Sequence, residues 1–271
     1  MKQVRDRLNS FFLRLPYKPF FAAKRTSLDD LKFFFRSVAP INTQAPLIRL
    51  GPSTDGGYLV PDDLDGITSV FSPGVSTVSG FELECAERGM EVYLADASVE
   101  TTTLMHQRFH FLKKYVGAFT LGDYLSMSDW VENMHPDDSK DWLLQMDIEG
   151  SEYEVVFNIP EHFLRKFRII IIEFHMLDHL MDDVFFRIAS RTFEKLLANH
   201  CCVHIHPNNA GGVMTFGNII IPKMMEFTFY RRDRISLSDK KLTFPHPLDS
   251  QNVPHYEPLS LPQCWLHNES L

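Results

Sequence analysis

The chain has 271 residues and a formal net charge of −8, with 44% hydrophobic and 23% charged content. That balance excludes a disordered or fibrous protein, and the acidic excess argues against a general nucleic-acid surface, so no nucleic-acid partner is expected. Four cysteines with no Cys-x-x-Cys pair exclude a disulfide framework and a cysteine zinc site, and all four are expected as thiols.

The first 45 residues carry nine Lys/Arg against three Asp/Glu and form a separate basic segment. Its opening, MKQVRDRLNSFFLRLP, has the composition of an amphipathic helix that suits a membrane surface, a partner enzyme or the chain's own domain. It lacks the apolar stretch and cleavage site of a signal peptide, and no apolar run is long enough for a bilayer. A cytoplasmic protein, peripheral to a membrane at most, is the expectation. Ser27-Leu-Asp-Asp30 predicts a helix start, with Leu28, Leu31, Phe34, Phe35 and Val38 as its apolar stripe and Pro40 beyond its end. Residues 41–66, including Asp55-Gly-Gly-Tyr58, read as loops and short strands.

From Ile67 short apolar runs alternate with helical segments, the pattern of a parallel sheet with crossover helices. Strands are predicted at Thr68–Ser72, Glu91–Asp96, His110–Val116, Trp142–Asp147, Arg168–Phe174 and Cys202–His206. Arg168–Phe174 is apolar throughout and is expected in the middle of the sheet. Met225–Arg231 alternates and is expected as an antiparallel seventh strand at or near an edge. Helices are predicted from capping boxes at Ser79-Gly-Phe-Glu82 and Ser151-Glu-Tyr-Glu154, from about Glu100 to Gln107, and from about Val184 to Asn199. In the last of these, Val184, Ile188, Phe193, Leu196 and Leu197 are expected to face one side. The domain division follows: a basic extension over 1–45, a main domain over 46–235, and an extended proline-rich tail over 236–271 packed on that domain.

In such sheets ligands sit beyond the carboxyl ends of the strands. Ser72-Pro-Gly-Val-Ser-Thr-Val-Ser79 follows strand one and has one glycine where a dinucleotide turn has three, which disfavours a nicotinamide-dependent oxidoreductase. Asp96, 22 residues beyond Gly74 at the end of strand two, is placed either to accept from ribose hydroxyls or to act as a loop acid.

Met146-Asp-Ile-Glu-Gly-Ser-Glu-Tyr-Glu-Val-Val156, followed by Ile171-Ile-Glu-Phe-His175, resembles the S-adenosylmethionine-dependent methyltransferases of the FkbM-like group, whose members carry Asp-x-Glu-Gly-x-Glu after strand four. The likeness extends to Asp55-Gly-Gly-Tyr58, Gly74-Val-Ser76, Asp96, His204-Ile-His-Pro-Asn-Asn209, Glu226-Phe-Thr-Phe and Pro245-His-Pro-Leu-Asp249, covering about residues 47–255. The Ser-Pro-Gly-Val-Ser turn departs from the group's glycine-rich spelling. The resemblance implies a Rossmann-like class I methyltransferase fold with seven strands, mostly parallel, and helices on both faces. It implies an O-methyltransferase acting on a sugar, glycan or glycosylated small molecule, with S-adenosylmethionine held by Tyr58, Ser72, Gly74, Ser76, Asp96, Ala97, Thr120 and Asp147. Phe119 and Leu121 are candidates for the adenine slot and equally for the core.

Deprotonating an acceptor hydroxyl calls for a base or a divalent metal. Asp147, Glu149, His175 and His206 fall at or just after strand ends, so all four can face one cleft. Two roles stay open. Asp147, Glu149, His175 and His206 offer ligands for Mg or Mn, or His175 is the base and Glu149 orients it. A purely structural reading makes the two acids turn-formers and His175 a buried, satisfied histidine. Asn208 and Asn209 are expected on a polar rim that recognises the acceptor. A non-catalytic binding or scaffold protein on the same fold is the alternative from another class.

Overall fold

The computed structural model describes residues 24–266. The basic segment's opening residues, and with them the amphipathic-helix reading, lie outside that range. The first described helix, α1 (Leu28–Val38), starts where Ser27 Oγ accepts from the Asp30 amide at 3.1 Å and buries Leu31, Phe34, Phe35 and Val38.

Seven strands form the main sheet: β3 (Ile67–Pro73), β4 (Glu91–Ala95), β5 (Phe109–Leu112), β8 (Asp141–Met146), β9 (Phe167–Phe174), β10 (His200–Pro207) and β13 (Met225–Arg231). Their order is β10-β13-β9-β8-β3-β4-β5. The five strands from β9 to β5 are parallel, while β13 lies between β9 and β10 and is antiparallel to both. The middle position belongs to β8, and β9 sits one place away.

Alternation along β9 divides the interior in two. Ile170 and Ile172 join a core closed by α1, α3 (Met127–Met134), α4 (Glu152–Asn158), α6 (Asp183–Asn199) and Trp265 of the C-terminal segment. Ile169 and Ile171 join a second core under α2 (Gly80–Glu87) and the hairpin of β1 (Leu47–Leu50) and β2 (Tyr58–Pro61). The chain therefore has an α/β fold with a mostly parallel sheet covered on both faces. Two further small sheets pair β6 (Tyr115–Gly117) with β7 (Tyr124–Ser126) and β11 (Val213–Phe216) with β12 (Ile219–Pro222); a short helix α5 (Glu161–Leu164) precedes β9. No described helix is long and apolar enough to cross a membrane.

Several local expectations are corrected. Residues 100–107 form bends and turns, because Thr102 Oγ donates to Leu104 O and Thr103 Oγ to Thr77 O, so side chains compete with helical hydrogen bonds. The third strand ends at Leu112, and Tyr115–Gly117 pairs outside the main sheet. Neither capping box closes through its serine: Ser79 and Ser151 make no side-chain cap bond, Glu82 turns inward, and Glu154 is exposed. On α6 the buried side chains are Ala189, Thr192, Phe193 and Leu196, whereas Val184 and Ile188 are exposed. That helix lies beside α4, and in its first turns Phe185 and Phe186 pack against the core while Val184 and Ile188 face outward.

The C-terminal segment runs over the domain. Ser238 N donates to Asn42 O, and Trp265 is fully buried against Phe35, ring centroids 4.5 Å apart.

Candidate active site

The carboxyl ends of β3 and β8 touch. Gly74 has φ +86°, a conformation that favours glycine, and a Cβ there would lie 1.5 Å from the Asp147 carbonyl oxygen. Gly74 N donates to Ala95 O and Asp147 N to Pro73 O, so three strand ends converge on this turn. Ser76, at φ +48°, donates its amide to Asp96 Oδ2 at 2.7 Å. Asp96 Oδ1 accepts from the Ser98 amide and hydroxyl at 2.7 and 2.6 Å. Three of the roughly four acceptor positions of the carboxylate are thus used, leaving one on Oδ2. Asp96 is buried, and Ala97 beside it is half-buried.

Other predicted cofactor residues point elsewhere. Ser72 Oγ lies 2.6 Å from Glu82 Oε1 and 2.7 Å from Gln145 Oε1, and Gln145 Nε2 donates to Tyr58 Oη at 3.0 Å. Tyr58, Gln145, Ser72 and Glu82 form one buried polar chain beneath the turn. Burial pushes the Glu82 carboxyl up to about 7, against the opposing Ser72 hydrogen bond. Thr120 bonds Asp129 and accepts from Ser126 N at the start of α3, so its hydroxyl closes a loop. Phe119 and Leu121 are exposed, and with Gly117, Ala118, Tyr124 and Ser151 they line a 330 Å³ cavity.

Beyond Asp147 the backbone is unusual. Glu149 has φ +56° and Gly150 φ +108°, while Met176 after β9 has φ +56°. Non-glycine residues in that region cost energy and gather at functional sites. The turns bring three side chains together: His175 Nε2 lies 3.5 Å from Glu149 Oε2 and 3.8 Å from Asp147 Oδ1. Burial presses the Asp147 carboxyl up to about 7, with Glu149, Glu152 and Asp55 adding to the shift and His175 opposing it. Burial pulls His175 down, yet the Glu152 hydrogen bond and the surrounding carboxylates outweigh it, so its pKa is raised.

Glu152 is the residue that sequence reasoning missed. Its Oε1 accepts from Ile148 N at 3.2 Å and Gly150 N at 3.0 Å and lies 3.1 Å from His175 Nδ1, so one buried carboxylate holds the turn and the imidazole. The signal was present as the last Glu of Asp147-Ile-Glu-Gly-Ser-Glu152. Tyr153 Oη adds a bond to His175 O at 2.7 Å.

His206 is not in this group, which corrects the expectation of a fourth ligand. Register places Glu173 opposite Glu226 and Glu226 opposite His206, so His206 lies strands away, 3.7 Å from Asp249 Oδ1. His204 Nε2 contacts the same oxygen at 2.9 Å. Burial raises the Glu173 carboxyl well above its ordinary value and also raises that of Glu226, against the opposing His206 and the Asn252 hydrogen bond. Asn252 Nδ2 donates to Glu226 and to Asp55, tying the Asp55-Gly-Gly-Tyr58 loop to the C-terminal segment. Asn208 and Asn209 are buried rather than on a rim: Asn208 Nδ2 donates to Glu173, and Asn209 Nδ2 to Val253 O.

Residues 71–195 match the sequence model of the Methyltransferase FkbM domain. Among curated proteins nothing matches. One solved structure that the chain resembles is described as a candidate DNA modification methyltransferase encoded within an E. coli prophage, at 13% identity and a TM-score of 0.39. The match covers 64% of this chain and spans about half, 49%, of that one.

Proposed function

We propose that the chain is an S-adenosylmethionine-dependent O-methyltransferase that acts on a hydroxyl of a sugar, glycan or glycosylated acceptor. The observation that carries the reading is the joining of two sites by one contact. The Gly74 turn, with Asp96 behind it, packs against the very residue, Asp147, whose side chain helps build the Asp147–Glu149–His175 cluster. A cofactor lying along the turn would present its methyl group to an acceptor at the cluster. The free lone pair of Asp96 Oδ2 suits a ribose hydroxyl, and the cavity by Phe119 suits adenine.

Transfer moves the methyl from sulfur to the acceptor oxygen: the O–C bond forms as the C–S bond breaks, and sulfur keeps the electron pair as a neutral thioether. The hydroxyl proton leaves to the cluster or to water. Alignment of oxygen, carbon and sulfur supplies much of the rate, and the Glu152-bonded His175 is held rigid for that purpose. A 530 Å³ cavity with half-exposed Tyr256 beside His255 and Glu257 offers the aromatic and polar surface on which a sugar ring stacks, which supports a glycosylated acceptor. Asn208 and Asn209 then support the loop under that surface.

Calorimetric titration with S-adenosylhomocysteine, S-adenosylmethionine and NAD tests the reading. Binding of the sulfur ligands alone, weakened in Asp96→Ala, is expected; binding of NAD alone would replace the proposal with an oxidoreductase.

A further inference from the structure

We infer that Asp147, Glu149 and His175 bind one divalent cation of the manganese or magnesium class, with Glu152 as the residue that orients the imidazole; the catalytic meaning of this site rests on the methyltransferase reading, but its existence does not.

Three independent features of the geometry point to it. One ligand atom from each residue lies within 4.8 Å of the other two, and the Nε2–oxygen separations are 3.5 and 3.8 Å. Ligand atoms about 2.0–2.2 Å from a shared ion stand roughly 3–4 Å apart, so these separations need little adjustment. His175 is nine-tenths buried, its Nδ1 is taken by Glu152, and its Nε2 makes no hydrogen bond among the described residues while it faces the two carboxylates. Asp147 Oδ1 is occluded from solvent and accepts no hydrogen bond. The imidazole nitrogen of a largely buried histidine and an occluded, unpartnered carboxylate oxygen that face each other form a site suited to a cation.

The Glu152–His175 pair completes the pattern. Glu152 Oε1 faces His175 Nδ1, so Nδ1 is the nitrogen committed to the carboxylate and Nε2 is the one directed at Asp147 and Glu149, the arrangement in which a carboxylate orients a metal-binding histidine. Two carboxylates and one imidazole fit manganese or magnesium better than the soft ions that thiolates select. A cation there supplies a Lewis acid that lowers the pKa of an acceptor hydroxyl.

The test is titration of the metal-stripped full chain with MnCl2, with neither cofactor nor acceptor present, following free Mn2+ by electron paramagnetic resonance. Saturable uptake of one ion per chain is expected. Glu149 is largely exposed, so Glu149→Gln keeps the fold and is expected to weaken uptake about tenfold or more; Glu152→Gln keeps all three ligands and is expected to weaken it about 10–100-fold. Absence of uptake at millimolar Mn2+, or equal uptake by wild type and Glu149→Gln, overturns the site. S-adenosylhomocysteine is titrated into the same stripped sample. Its binding without Mn2+ uptake removes the cation site and leaves the methyltransferase reading, whereas Mn2+ uptake without it upholds the cation site and removes that reading.

Discussion

The α-carbon of Gly74 and the carbonyl of Asp147 are in such close approach that a methyl group on the former would sit 1.5 Å from the oxygen of the latter. The contact joins the turn after β3 to the turn after β8. Gly74→Ala must therefore push the ends of β3 and β8 apart and also place alanine at φ +86°. The expected cost is about 3 kcal/mol or more in urea denaturation, together with loss of S-adenosylhomocysteine binding. A variant with wild-type stability would show that the two turns are not rigidly joined.

Asp96 holds the Ser76 amide and Ser98 with both oxygens while keeping one acceptor position open. Asp96→Asn replaces one oxygen with a donor that cannot accept from the Ser76 amide or from Ser98, so the turn should loosen and cofactor affinity fall by at least tenfold. Isothermal calorimetry reads the affinity, and an unchanged value would detach Asp96 from the cofactor. Asp96→Glu, which keeps the charge but shifts it by a methylene, should also bind weakly, since placement matters as much as charge.

Glu82 links stability to pH. Its carboxyl is raised by burial to about 7, above the ordinary value of 4.5 that the unfolded chain retains. Stability from this group is fully present below about 4.5 and is lost as pH rises through about 7, on the order of 3 kcal/mol in all. Glu82→Gln keeps the shape and removes the titration. Unfolding free energy measured between pH 5 and 8 should therefore fall more steeply in the wild type than in the variant; parallel curves would contradict the assignment.

Asp249 clasps the C-terminal segment to β10. Burial opposes its ionisation, but His204 at 2.9 Å and His206 at 3.7 Å hold its carboxyl well below the usual range. Asp249→Ala leaves two buried imidazoles without their partner, at an expected cost of about 2–4 kcal/mol. Limited proteolysis between residues 236 and 260 should accelerate, because the same stretch carries Asn252 onto Glu226 and Asp55. Unchanged cleavage would mean that the segment is held chiefly by Trp265, which is fully buried.

Much of the architecture was legible from residue order. A run such as Ile169–Ile172, apolar on both faces, can only be satisfied by a sheet covered on both sides, and the Asp147-Ile-Glu-Gly-Ser-Glu152 spelling marked where the chemistry lies. Strand periodicity is local, so it survives without knowledge of partners. A helix over 100–107 does not form because Thr102 and Thr103 bond to carbonyls through their side chains, one of them to Thr77 far along the chain. Val184 and Ile188 depart from expectation for a related cause: their periodicity is helical, but the face that packs carries Phe185, Phe186, Ala189 and Phe193, which leaves Val184 and Ile188 exposed.

Within the site, sequence alone marked Asp147, Glu149 and His175 as residues at strand ends, since side chains there share one edge of a parallel sheet. Tertiary structure decided which of them meet. Cross-strand register carried His206 away to Asp249, turned Asn208 inward to Glu173, and set Glu152 on the imidazole of His175. Those outcomes depend on strand order and on backbone turns with positive φ at Glu149 and Met176, and neither is written in the spacing of residues along the chain.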